Sequence, residues 1–147
     1  MEKIKPIIRK AKLIDINSIY NLGRKTKELN FSPKMSFHDK AELMEFIKKP
    51  RYNILLVATF EKNVVGFLYA KIVSHSWCLL DNIAVDEKYR NHGIGNLLMH
   101  ELYHELKNVR VHYVQVLEEI HHKKTREFWK KKGFKEEKVF VWADREI

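Results

Sequence analysis

Apolar and polar positions along the chain change period several times, and each change marks an element. In residues 3–10, Ile4, Pro6 and Ile8 alternate with charged neighbours, which predicts a first strand near a sheet edge. Ile16, Ile19, Tyr20 and Gly23 then recur at helical spacing, with Asp15 in the place of an N-cap. After the loop Phe31-Ser32-Pro33, Ser36 and Asp39 have capping-box spacing. They predict a second helix that turns Leu43, Met44 and Ile47 inward and stops before Pro50.

Three strands are expected next, over 53–60, 64–73 and 76–85. The turn Glu61-Lys62-Asn63 joins the first two as a hairpin, and Gly66 suggests a bulge. A long helix over 93–107 carries Ile94, Leu97, Leu98, Leu102 and Leu106 as its apolar stripe. A strand over 111–117 follows, then a helix from His122 ending at Gly133, a good C′ residue, and a closing strand over 138–142. The order β-α-α-β-β-β-α-β-α-β predicts an α/β fold, a mixed sheet flanked by helices. Neither an internal repeat nor a Pro/Gly/Ser-rich linker interrupts it, so residues 1–147 read as one domain.

Composition narrows the function classes. With 147 residues, 45% of them hydrophobic and 12% aromatic, the chain can build a core and is not of the disordered type. Apolar runs fall short of the roughly 20 residues a membrane span needs, and the first residues lack the apolar stretch of a signal peptide. Cys78 stands alone, which excludes an internal disulfide and a cysteine-only zinc site. A cytoplasmic protein with no membrane partner is the expectation. The net charge of +9 invites a polyanion: nucleic acid, an anionic membrane surface or a phosphorylated small molecule. Part of that charge clusters in Lys123-Lys124-Thr125-Arg126 and Lys130-Lys131-Lys132, runs that most often form a solvated face.

The junction after the third central strand carries the clearest chemistry. Tyr89-Arg90-Asn91-His92-Gly93-Ile94-Gly95 places two glycines where the chain must turn tightly into a helix. Amide N–H groups at such a helix start have no intrahelical acceptor and lie at the positive end of the macrodipole, a setting suited to phosphate oxygens. Glycine lets the backbone approach those oxygens closely, and Arg90 can add charge-assisted hydrogen bonds.

The run Asp81-Asn82-Ile83-Ala84-Val85 through Arg90-Asn91-His92-Gly93-Ile94-Gly95-Asn96, followed by Phe128-Trp129 and Gly133-Phe134, resembles the GNAT superfamily of acetyl-CoA-dependent N-acetyltransferases. The resemblance covers residues 79–134 and implies a mixed, largely antiparallel sheet. It also implies acetyl-CoA as cosubstrate, held by the strand Ile83, Ala84 and Val85 and by Arg90, Asn91, His92, Gly93, Ile94, Gly95 and Asn96. In such enzymes an amine attacks the thioester directly while a backbone N–H holds the oxyanion. An acidic residue on that strand often serves as base, which points to Asp81. Gln115, where many relatives carry a glutamate, cannot act as one. Relatives also place a tyrosine acid four residues before the terminal Gly-Phe; Trp129 stands there, and indole does not titrate. Trp129 is then expected to pack against the pantetheine arm, with His121 or His122 as possible proton donors.

His100-Glu101-Leu102-Tyr103-His104 has the zinc-protease pattern H-E-x-x-H, but helix phase turns both histidines away from the apolar stripe, so no metal is expected. Cys78 reads as core, and Trp77 or the Phe31, Met35 and Phe37 segment as core or acceptor pocket. The expected function is acetyl transfer from acetyl-CoA to a primary amine on a small molecule, a peptide lysine or a protein N-terminus, by a monomer or homodimer. The alternatives are a non-catalytic acyl-CoA-binding protein of the same fold and a basic nucleic-acid-binding module. Sequence-specific nucleic-acid binding is not expected.

Overall fold

The computed structural model describes every residue except 1–3, 31, 33 and 35, so Phe31 and Met35 lie outside it. The chain falls into two compact units, Met1–Val116 and Leu117–Ile147. The first holds strand β1 (Ile7–Lys10), helices α1 (Ile16–Lys25) and α2 (Lys40–Lys48), strands β2 (Asn53–Phe60), β3 (Asn63–Ile72) and β4 (Trp77–Val85), helix α3 (Ile94–Asn108) and strand β5 (Tyr113–Gln115). The strands form one sheet in the order β1-β2-β3-β4-β5. Neighbours are antiparallel up to β4, and β5 joins β4 in parallel. This is the mixed, largely antiparallel α/β sheet the resemblance implied.

Alternation along β2 and β3 sends side chains to both faces of the sheet. On one face Leu55, Val57, Phe67 and Tyr69 form a core with Ile19 and Leu22 of α1, Leu43 of α2, and Phe37. The other is covered by α3, which packs on β2, β3 and β4 through the fully buried Leu98 and Leu102. Gly66 lies beside a bulge, as expected: Ala58 pairs with Gly66 and Thr59 with Val64, so Val65 is the extra residue.

Several expectations need correction. Asp15 precedes α1 but makes no capping bond to it; its carboxylate instead accepts from Arg9 at 2.7 and 2.9 Å and from the Lys12 amide at 2.7 Å. A buried charge takes the strongest partner within reach, here a two-pronged guanidinium. The capping box of α2 is Asp39 with Glu42, one turn later than Ser36. Met44 and Leu97 lie at the borders of their apolar stripes and are 37% and 43% exposed, while Met99 takes the burial on α3.

The largest correction lies in Leu117–Ile147. That unit holds α4 (Lys123–Lys131), and Gly133 closes it at φ 87° with Phe134 N–H donating to the Trp129 carbonyl. Residues 138–142 form no strand, and Val139, Phe140, Val141 and Trp142 are exposed. Strand propensity is local but a strand exists only through a partner's ladder, and none pairs with this segment among the described residues. The strand expected over 111–117 shrinks to β5 for the same reason, with three paired residues.

Candidate active site

β4 positions the site because its two edges are treated differently. Toward β3 it is paired over most of its length. Toward β5 it is paired only at Trp77, Cys78 and Leu79, opposite Tyr113, Val114 and Gln115. β5 ends at Gln115, opposite Leu79, so the outer edge of β4 from Leu80 to Val85 has no strand partner among the described residues. Backbone N–H and C=O groups left on such an edge can receive an extended ligand as an added strand. Ile83 and Val85 are half-buried and pair inward with Leu68 and Gly66, while Ala84 is buried opposite Phe67.

That open edge leads straight into the glycine loop. Asp86 receives the Lys25 ammonium at 2.9 Å and the Lys88 amide at 3.1 Å, which fixes the single turn Glu87–Tyr89. Arg90 folds back and its Nε donates to the Val85 carbonyl at 3.0 Å. Asn91 and Gly93 both take left-handed backbone angles, φ 64° and 77°, on either side of His92. Gly93 is the N-cap of α3 and supplies no side-chain cap, so the helix start is not closed off by its own residues. A Cβ placed at Gly93 or Gly95 would meet nothing within 4 Å. The Ile94 side chain is 1% exposed and anchors the turn in the core, which leaves its amide for the loop. Asn96 is exposed on the first helical turn. The stretch 83–96 is thus continuous: open strand edge, turn, uncapped helix start. Its open space at Gly93 and Gly95 and a helix start that Gly93 leaves without a side-chain cap fit an extended molecule that ends in phosphates.

Asp81 sits at a second bulge. Tyr69 pairs with Asn82 and Ala70 with Leu80, so Asp81 has no opposite number on β3. Strict alternation would put it with Ile83 and Val85. Instead its carboxylate reaches His38 Nε2 at 3.1 Å, on the α1/α2 face where Tyr69 lies. An extra residue bends the strand and re-aims the side chain. His38 therefore joins the site, a residue the sequence reading did not single out. Its ring stands edge-on to Phe37, Phe46 and Tyr69 at 5.5, 5.0 and 5.5 Å between centroids, and its Nδ1 lies 3.6 Å from Glu42. Phe46 and Tyr69 stack at 4.1 Å, and the Tyr69 hydroxyl donates to Asn53 at 2.8 Å. The Glu42 spacing, four residues on at the start of a helix, was the available signal. Burial alone would lower the His38 pKa, but the hydrogen bond and charge of Asp81 and the charge of Glu42 outweigh it and raise the value. Asn82 is 6% exposed, and its Oδ1 has no hydrogen-bond partner among the described residues.

Burial pushes the Cys78 thiol up to about 11, so it is core and not a nucleophile. Trp77 and Gln115 are half-buried on the paired stretch of β4 and β5. Phe37 belongs to the core. His100 and His104 are exposed on α3, as helix phase predicts. Glu101, His104 and Glu105 can bring ligand atoms within 4.8 Å of one another, yet Lys10 already pairs with Glu105 at 2.8 Å. Within Leu117–Ile147, Trp129 is 6% exposed and meets Phe128 and Phe134 edge-on at 4.9 and 5.0 Å. His121 and His122 are exposed. Among the described residues no helix is long and apolar enough to cross a membrane.

The comparisons with known proteins agree with this geometry. No curated protein sequence matches the chain. Among solved structures, the PaiA N-acetyltransferase of Thermoplasma acidophilum in complex with coenzyme A is similar at TM-score 0.82 and 19% identity, over 93% of this chain and 94% of that one. Ard1 of Thermoplasma volcanium is similar at TM-score 0.74 and 23% identity, over 88% and 82%. An aminoglycoside acetyltransferase from an uncultured soil metagenomic sample, in complex with sisomicin, is similar at TM-score 0.75 and 18% identity, over 96% and 97%. These likenesses show the fold. The family model described as the acetyltransferase (GNAT) domain matches residues 51–136, more than half of the chain, from the turn before β2 to just past the Gly133-Phe134 pair. The chain belongs to the GNAT acetyltransferase family.

Proposed function

We propose that the protein transfers an acetyl group from acetyl-CoA to a primary amine. The observation that carries this reading is the outer edge of β4, without a strand partner beyond Leu79 among the described residues, which leads without a break into the glycine-lined start of α3. Coenzyme A in the Thermoplasma acidophilum structure and sisomicin in the metagenomic one support a thioester donor and an amine acceptor.

Acetyl-CoA, when bound, would supply a thioester whose acyl carbon forms the new C–N bond as the C–S bond breaks, coenzyme A leaving as a thiolate that takes up the proton the new amide nitrogen sheds. Main-chain groups of Ile83 and Val85, on either side of Ala84, hold the extended arm. Amides from Gly93 to Asn96 take the pyrophosphate, with Arg90, Asn91 and His92 shaping the turn before them. Asp81 takes the proton that the acceptor ammonium must lose before its nitrogen can attack, directly or through a water.

Acetyl-CoA should raise the melting temperature by linkage to the native state. Gly95→Asp should abolish that shift, because it sets a negative charge beside the phosphates. An unchanged shift in a folded Gly95→Asp protein would remove the reading.

A further inference from the structure

The acceptor side of the site holds a residue for which acetyl transfer itself has no use. His38 is fixed by three aromatic rings and presents both ring nitrogens to carboxylates, Nε2 to Asp81 at 3.1 Å and Nδ1 to Glu42 at 3.6 Å. Its side chain is only 24% exposed, so it shields the inner face of Asp81, which is 37% exposed. The groups that face it are Asp81 from β4, Glu42 from α2 and the Tyr69 ring from β3. The two charged ones are both acidic. The wall behind them is the stacked Phe46–Tyr69 pair. Asn82 turns to the same sheet face, opposite Tyr69, with a buried Oδ1 that finds no donor among the described residues.

Two carboxylates, an aromatic wall and an orphan carbonyl oxygen make a place for a cation that carries N–H groups. In this structure the place is taken by an imidazole that can carry the same charge. We propose that His38 is a specificity-determining residue of the acceptor side: it occupies the carboxylates of Asp81 and Glu42, and the acceptor enters as an ammonium that displaces it. Asn82 Oδ1 then takes one N–H of the incoming ammonium. The inference rests on the acetyl-transfer reading above and adds the charge class of the acceptor. The raised pKa of His38 fits a resident cation. As pH rises through that value the imidazolium loses its charge, leaves the carboxylates to the acceptor, and the amine should bind more tightly.

The test uses the full chain with saturating acetyl-CoA and two cationic primary amines, cadaverine and sisomicin. Thiol release is followed from about pH 6 to 9, the range in which a histidine switches. Acetyl-CoA binding is measured separately by calorimetry. In the parent protein the KM of cadaverine, which stays a dication up to about pH 8, should fall as pH rises to that value. His38→Gln, neutral at every pH, should lower KM at the acid end by about fivefold and flatten its pH dependence. His38→Arg, a permanent cation, should raise KM by a similar factor at every pH. A residue with a merely structural role would shift KM the same way in both variants, and that result overturns the proposal. So would a KM profile in His38→Gln that still follows the parent's. Turnover of neither amine by any of the three proteins, with acetyl-CoA bound, would also overturn it and leave donor binding standing. Loss of acetyl-CoA binding would sink the transfer reading and this inference with it.

Discussion

The carboxylate of Asp81 and Nε2 of His38 lie 3.1 Å apart although 43 residues separate them in the chain. The contact ties the bulge of β4 to the segment that leads into α2. The same carboxylate is the one assigned to take the acceptor's proton, so His38 and the acceptor compete for one group. Removal of the proton from an acceptor is then tied to how His38 is seated.

Asp81→Asn should therefore lower acetyl transfer by about a hundredfold, the lower range for a lost general base. The neutral amide still fits the bulge and can still accept from His38. Acetyl-CoA affinity, measured by calorimetry, should stay at the parent value. Full activity across the pH profile would show the carboxylate to be incidental.

At Gly95 folding and binding should separate. The position has open space around it and an ordinary helical φ, so alanine fits the fold, with a gain of up to about 1 kcal/mol in helix propensity. The added methyl stands in the volume assigned to the phosphates. Gly95→Ala should keep or raise the melting temperature of the free protein and weaken acetyl-CoA by about tenfold, the scale of one or two impaired hydrogen bonds. Equal affinity in the two proteins would move the phosphates elsewhere.

Gly23 has the opposite character. A Cβ there would run into the Phe37 ring, in a core that also seats Phe67 against Phe37. Gly23→Ala should cost about 1–3 kcal/mol, the usual price of overpacking. Because Phe37 precedes His38, the variant should also disturb the acceptor KM more than acetyl-CoA binding. Denaturant unfolding and steady-state kinetics check the two halves.

Asp15 and Arg9 set an acid limit on stability. Burial would raise the Asp15 pKa, but the Arg9 hydrogen bonds and charge and the Lys12 amide more than offset it, and the net shift is downward. A group with a depressed folded pKa contributes stability above its unfolded value, about 3.9, and loses that contribution as pH falls through the folded value. Asp15→Asn should cost about 2–3 kcal/mol at neutral pH, since it leaves a guanidinium without its counter-charge beside a largely buried amide. The gap between parent and variant should close below about pH 4. A gap that persists unchanged into strong acid would refute the ion-pair account.

What could be read from residues alone was whatever depends on near neighbours. β2 runs over the expected 53–60 because a β-branched and apolar run meets the polar turn Glu61-Lys62, with Asn63 already paired to Phe60. The loop before α3 was legible because strand end, glycines and amphipathic helix follow one another within the chain. His38 was not legible, because its role needs Asp81 turned to the α2 face by a bulge that no residue type announces. The segment 138–142 failed in the other direction, since Val139, Phe140, Val141 and Trp142 favour a strand but find no ladder.

The bulge at Asp81 has a meaning for descent as well as for chemistry. A residue without an opposite number on β3 contributes little to holding the sheet together, and this one is also exposed. Exchanges there alter what greets an acceptor while the ladder on either side keeps its register. A change at Asp81 would be tested first by turnover and not by the fold, whereas most changes one residue along, at buried Asn82, would be tested first by whether the protein still folds.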